Sequence, residues 1–224
     1  MDKNTDLIIE KRISRVIEAL EKNNMQAFYA EDRCKAVDLV KSLIKKDDTI
    51  SFGGSESLRQ CGILDLLKNG EYKLLDRSAP GITPEQVEKI YRDTFSADVY
   101  LCSSNAITEN GELYNVDGNG NRVAAITFGP KSVIIVAGYN KIVSDLDAAA
   151  ERVKKIAAPA NCLRLSKETY CSKCGECVSL KSGKSEMTDG CDSPDRICRT
   201  YVVCGKQKDK GRIKVIIVGE PLGY

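Results

Sequence analysis

The sequence predicts an α/β fold built on a largely parallel sheet. Three observations carry that reading. Strand and helix signals alternate from the start of the chain to about residue 157, one strand runs through paired glycines straight into a helix, and the last apolar run is β-branched and nearly continuous, as in strands covered on both faces.

The elements follow in order. Ile9, Ile13, Val16, Ile17 and Leu20 recur at helical spacing, which makes Leu7 to Leu20 an amphipathic helix with one buried stripe. A short apolar stretch, Met25 to Tyr29, follows. Asp32 then caps a second helix that carries Ala36, Val37, Val40, Leu43 and Ile44 on one side. Thr49 to Phe52 reads as a strand, and Gly53-Gly54-Ser55 leads from it into a helix with Leu58, Cys61, Leu64 and Leu67. Lys73 to Leu75 is a short strand. Thr83, Pro84 and Gln86 supply an N-cap, a first-turn proline and a capping box for a helix that runs to about Phe95. Val99 to Ser103 is the next strand, followed by a polar stretch to Asn121, and Val123 to Phe128 and Val133 to Val136 read as two more. Leu146 to Ile156 is a helix. Beyond Ala157-Ala158-Pro159, residues 161–205 hold six cysteines after Cys162 and little periodicity. They read as a cysteine-rich insertion before a final core strand, Ile213 to Val218. The expected organisation is a single domain over 1–224, with an N-terminal helical segment over 1–30.

The composition narrows the chemistry. Among 224 residues there are ten cysteines but no histidine and no tryptophan. No Ser-His-Asp triad, Cys-His pair or histidine-bound metal can be built, so a metal must sit on thiolates or carboxylates. The net charge is +2, from 34 basic and 32 acidic residues spread along the chain, which gives no electrostatic case for nucleic acid. No apolar run approaches the length that spans a bilayer, and no leader pattern opens the chain, so a cytoplasmic location is expected. In a reducing compartment ten cysteines read as small core residues plus a metal or redox cluster.

Three constellations can carry chemistry. In the first, Gly53-Gly54-Ser55, backbone amides can approach an anion at the start of a helix, although a tight turn with Ser55 as N-cap explains the same residues. The second is the stretch NAITENGELYNVDGNGNR, residues 105–122. Turns account for Asn110-Gly111 and Asn119-Gly120, but not for Asn105, Asp117 and Arg122 together, and Asn105 follows a strand directly. Lys131 and Lys141 flank the next strand, where either can approach an anion. The third is the set Cys171, Cys174, Cys177, Cys191, Cys198 and Cys204. Its C-x2-C-x2-C opening lacks the fourth cysteine and proline of a ferredoxin run. Two cysteines from Cys171 to Cys177, joined to Cys191 and Cys198, give four thiolates, enough for zinc or an iron–sulfur centre; free thiols or an oxidised pair are the alternative. Cys34, Cys61 and Cys102 read as core.

Asn105-Ala106-Ile107-Thr108, Glu109-Asn110-Gly111, Asn115-Val116-Asp117-Gly118 and Gly120-Asn121-Arg122-Val123-Ala124 resemble the LUD (lactate utilisation) domain family, which includes LutC-like proteins. Phe52 to Ser55, Phe128 to Lys131, Gly138 with Asn140 to Val143, Ile156 to Asn161 and Cys191 to Cys198 resemble its short, single-domain branch. The resemblance implies a three-layer α/β/α fold similar to the NagB/RpiA/CoA-transferase group. It also implies a link to oxidation of L-lactate beside iron–sulfur and flavin-type subunits. It favours Cys171, Cys177, Cys191 and Cys198 as the ligand set and leaves Cys174 and Cys204 as additions.

The expected function is binding of a small carboxylate or phosphorylated ligand. Arg122 forks onto the carboxylate, Glu109 and Asp117 are the acidic candidates for catalysis, and Gly53, Gly54, Ser55, Asn105, Asn121 and Lys141 complete the binding site. One alternative is a non-catalytic electron-transfer or assembly subunit with a thiolate-bound metal. A further one is acyl transfer through Glu109, whose Glu-Asn-Gly setting is similar to the nucleophile of CoA-transferases.

Overall fold

The computed structural model describes residues 2–70, 72–183 and 186–224. Its strands are β1 (Gln26–Ala30), β2 (Thr49–Phe52), β3 (Lys73–Leu75), β4 (Val99–Cys102), β5 (Ala106–Thr108), β6 (Leu113–Asp117), β7 (Ser132–Gly138), β8 (Ile142–Val143), β9 (Thr200–Cys204) and β10 (Ile213–Val218). The helices are α1 (Lys3–Lys22), α2 (Arg33–Leu43), α3 (Glu56–Gln60), α4 (Ile63–Asn69), α5 (Pro84–Asp93), α6 (Asn121–Thr127), α7 (Leu146–Arg152), α8 (Ala158–Arg164) and α9 (Tyr170–Cys174).

A six-stranded parallel sheet in the order β1-β10-β7-β4-β2-β3 forms the centre. Successive side chains of a strand point to opposite faces, so the unbroken apolar runs of β7 and β10 supply two cores at once. Val133, Ile135, Ala137, Val215 and Ile217 meet α1 and α6 on one face. Ile134, Val136, Ile216 and Val218 meet α2, α3 and α4 on the other. The result is a three-layer α/β/α arrangement. On α1 the stripe Ile13, Val16 and Leu20 is fully buried, at about 1.5–3 kcal/mol for each side chain, and Asp2 caps the helix by accepting from the amides of Asn4 and Thr5.

A smaller sheet, β8-β5-β6-β9, lies beyond the carboxyl end of the first. Its core is Ala106, Tyr114 and Val116 against Ala149, Val153, Ala157 and Ala158. The β5–β6 hairpin turns through Asn110-Gly111. Gly111 has φ +78°, and a Cβ there would fall 2.5 Å from the Ala19 carbonyl carbon, so the glycine is what lets this turn dock on α1.

Several elements differ from the sequence reading. Residues 123–127 lie in helix α6, not in a strand, and Phe128 is its extended C-cap. Val123, Ile126 and Thr127 are β-branched, but Asp117 accepts from the amides of Arg122 and Val123 and starts a helix across the intervening glycines. The polar stretch after β4 contains the β5–β6 hairpin. The helix after Phe52 is two pieces, with Gly62 in the left-handed conformation between them. Met25 to Tyr29 lies largely in β1, which pairs with β10, so residues 1–30 hold a helix and a strand of the main sheet. Ala157-Ala158-Pro159 does not end a helix: α7 passes into α8 through a π-helical turn, Val153–Ala157. Pro159 has no amide hydrogen, and the wider turn lets the chain continue past it. Residues 161–205 are not wholly outside the sheets, since β9 pairs antiparallel with β6. Cys34 is exposed on α2 rather than core, whereas Cys61 and Cys102 are buried.

Candidate functional site

Three adjacent strands of the central sheet, β2, β4 and β7, end at one cavity of about 450 Å³. The carboxyl edge of a parallel sheet is where the chain must leave in loops, and loops there can converge on a ligand. The β2 end brings Gly54 and Ser55. The β4 end brings Ser103, Ser104 and Asn105. The β7 end leads through a single helical turn, Tyr139–Lys141, to Lys141. The hairpin and the first turn of α6 add Asp117, Asn121 and Arg122.

The cavity is cationic. Arg77, Arg122, Lys141, Arg164 and Lys167 line it, opposed by Glu56 and Asp117. Both acids are engaged elsewhere: Glu56 accepts from Arg59 Nε at 2.8 Å, and Asp117 accepts from the amides of Gly118, Arg122 and Val123. Asp117 therefore caps α6 while lining the cavity.

Arg122 differs from expectation in a specific way. Nη1 donates to the Ser103 carbonyl at 3.1 Å and to Asn115 Oδ1 at 2.7 Å, while Nη2 donates to Asn105 Oδ1 at 3.0 Å and to the Val116 carbonyl at 2.7 Å. All four terminal N–H bonds are thus spent on neutral protein oxygens, which leaves no fork for a ligand carboxylate. The cation keeps its charge and is fixed in the floor of the cavity.

Lys141 is almost completely buried, and Nζ stands 3.0 Å from Ser103 Oγ. Burial pushes its pKa down to about 7, and the neighbouring cations Arg152 and Arg122 push the same way. Arg152, lowered to about 10 by burial, donates to the carbonyls of Asn140 and Asn105.

Other residues lie elsewhere or do other work. Glu109 is not at the cavity: it accepts from Arg12 Nε of α1 at 2.6 Å, on the far side of the hairpin. The Gly53 amide donates to the Leu101 carbonyl, and Ser55 Oγ accepts from the Leu58 amide as an N-cap, so two groups of the glycine loop serve the fold. Lys131 precedes the amino end of β7, remote from the site. Ser103 was missed by sequence reasoning, because a serine among polar residues carries no spacing signal.

A second, smaller cavity of about 30 Å³ lies against the other side of the α7–α8 helix. Cys171, Cys177, Cys191 and Cys198 all line it, and the structure adds Cys162 from α8. Cys162 and Cys171 sulfurs are 3.8 Å apart. Burial raises the Cys162 thiol to about 11 and the Cys198 thiol to about 12. Arg196 ties the loop together by donating to the carbonyls of Cys191 and Cys198. Cys174 is exposed outside this group, and Cys204 is buried in the main core. Among the described residues, no three cysteines or carboxylates converge to metal-binding distance. Val153, Ala158, Ile197 and Cys198 face both cavities.

A family model described as the LUD domain matches residues 13–218. Among solved structures, a DUF162 family protein from Deinococcus radiodurans is 15% identical and aligns over 95% of this chain and 98% of its own, with a TM-score of 0.47. The eIF2B delta protein of Chaetomium thermophilum is 18% identical over 60% of this chain and 52% of its own, with a TM-score of 0.32. No curated protein matches.

Proposed function

The chain belongs to the LUD domain family, and from that premise we propose that it binds a small carboxylate or phosphorylated ligand in the cationic cavity at the carboxyl edge of β2, β4 and β7. Family membership implies a role related to lactate utilisation. The ligand reading rests on one observation: Arg77, Arg122, Arg164 and Lys167 line the cavity beside the Lys141 amine, and both acids that line it already accept hydrogen bonds within the protein. An anion entering there gains attraction from Arg77 and Arg164, whereas Lys167 is already paired with Asp195 at 3.5 Å. Because the Arg122 fork is filled, Arg122 acts on the ligand through its field, and direct contacts fall first to Arg77 and Arg164. We place the protein beside iron–sulfur or flavin-type subunits of L-lactate oxidation on family grounds alone.

Thermal unfolding with L-lactate, pyruvate, an acyl-CoA and inorganic phosphate tests the reading. A ligand present at about 100 times its Kd adds about 2.7 kcal/mol of stability, a readable rise in Tm. If none of the four moves the Tm at millimolar concentration, the small-anion reading is wrong.

A second reading is favoured by the five thiols around the smaller cavity. A tetrahedral zinc site with Zn–S bonds of about 2.3 Å has sulfurs roughly 3.8 Å apart, and Cys162 and Cys171 already stand at that separation. The cavity's 30 Å³ suits a single ion better than a multi-iron cluster. Two of Cys177, Cys191 and Cys198, which line the same cavity, would complete the four ligands. Anaerobic purification and metal analysis should give one zinc or iron per chain, lost in Cys162→Ala and kept in Cys174→Ala. Metal-free protein with freely titrating thiols removes this reading.

A further inference from the structure

We propose that Ser103 and Lys141 form a serine–lysine pair that transfers the acyl group of an anionic ester or thioester held in the cationic cavity. The chain has no histidine, so a serine nucleophile here must find another base, and a buried amine is the chemical alternative. The geometry supplies one. Lys141 Nζ lies 3.0 Å from Ser103 Oγ, within the reach a general base needs. Lys141 is 3% exposed and Ser103 9%, and both border the cavity.

The surroundings suit the same assignment. The charged and titratable groups that act on the Lys141 ammonium are Arg152, Arg122 and the Cys102 thiol, and no carboxylate is among them. Burial and the two cations hold the amine near neutrality, so much of it is unprotonated and able to accept a proton at pH 7. The Ser103 backbone is fixed from two sides: its carbonyl accepts from Arg122 Nη1, and the next residue, Ser104, donates to the carbonyls of Ala106 and Tyr114. Ser57 Oγ, 3.4 Å from Ser103 Oγ, is a second hydroxyl held in turn by the Leu222 carbonyl.

The step balances without a redox partner. Lys141 Nζ takes the Ser103 proton as Oγ bonds to the acyl carbon. The C–O or C–S bond to the leaving group breaks, and that group departs with the proton from the Lys141 ammonium. Water, activated by the same amine, then cleaves the serine ester and releases the free acid. The requirement that the substrate carry a carboxylate or phosphate rests on the proposed anion site, whereas the Ser103–Lys141 pair does not.

A neutral fluorophosphonate probe therefore tests the pair separately from the anion site. The full chain is treated between about pH 6 and 9 and the adduct mapped by peptide mass spectrometry. One probe per chain is expected on Ser103, at a rate that rises through about pH 7 as Lys141 loses its proton. Labelling should fall by about 100-fold or more in Lys141→Met and vanish in Ser103→Ala, while Glu109→Gln, outside the cavity, keeps it. The wild-type pH profile stands without any variant having to fold. An unlabelled Ser103 in the folded wild-type chain overturns the proposal, as does labelling that Lys141→Met leaves unchanged. A labelled Ser103 with no anion-induced Tm shift keeps the pair and rejects the anion site; the reverse result keeps the site and rejects the pair.

Discussion

Asn105 Oδ1 accepts two hydrogen bonds, from Arg122 Nη2 at 3.0 Å and from the Val116 amide at 2.9 Å, so one neutral oxygen joins the buried cation to the edge of the hairpin. Replacing that oxygen by a charged one separates fold from function. Asn105→Asp keeps both acceptors and gives Arg122 a counter-ion, so stability should be kept or raised, while the anion-induced Tm shift is lost. Asn105→Ala strands a buried amide and a guanidinium N–H, and should cost about 1–3 kcal/mol in urea denaturation. An anion response that survives Asn105→Asp would show that Arg122's charge is not what the ligand feels.

Lys141 makes the fold pH-dependent in a direction that follows from its partners. The unfolded chain keeps this proton up to about 10.5, whereas the folded chain gives it up near 7. Between those values the unfolded state binds more protons, so this group's contribution to stability rises with pH; below about 7 its cost is present in full. Lys141→Met should therefore stabilise the protein most at acid pH, by on the order of 5 kcal/mol, and the gain should fade towards about pH 10. Paired urea titrations of the two proteins across that range cancel the titration of the cysteines and tyrosines. A gain independent of pH would mean that the amine is not desolvated.

Glu109 is a surface partner of Arg12, with both side chains more than a third exposed. Glu109→Gln should cost at most about 1 kcal/mol and leave ligand-induced shifts and Ser103 labelling unchanged. Loss of either activity in this variant would restore Glu109 as the reacting carboxylate.

Gly111→Ala should do more damage than any change at Glu109, although the residue touches no cavity. Its φ of +78° and the 2.5 Å approach to α1 leave no room for a methyl group. The strain of about 1–3 kcal/mol should appear as a lowered Tm and as faster proteolysis of α1, whose docking the turn shares.

Much of the architecture is legible in the sequence, because long apolar periodicity and capping residues act locally. Thr83 and Gln86 form both bonds of the expected capping box, and Ile213 to Val218 returns to the sheet between β1 and β7. The misread elements are those decided at a distance. Helix α6 depends on a cap five residues upstream of Arg122, and β9 depends on β6, more than 80 residues away in the chain. The site divides the same way. Asn105, Arg122 and Lys141 stand out because polar groups cluster after strands, yet which hydrogen bonds fill the Arg122 guanidinium is a tertiary fact. Cys162 falls beyond the last helix the sequence predicts, and its place beside Cys171 is set only when α8 and α9 pack together.

Val153 of the π-helical turn, Ala158 at the start of α8 and the loop at Ile197-Cys198 form a wall shared by the larger cavity and the thiol-lined one. Reciprocity follows from that sharing. An occupant of either cavity that shifts Val153, Ala158, Ile197 or Cys198 alters the affinity of the other, and by thermodynamic necessity the influence is equal in both directions. Substitutions in the two cavities will then fail to add, and the size of that failure, read from a double-mutant cycle across the wall, measures how strongly thiol chemistry and anion binding are linked in this chain.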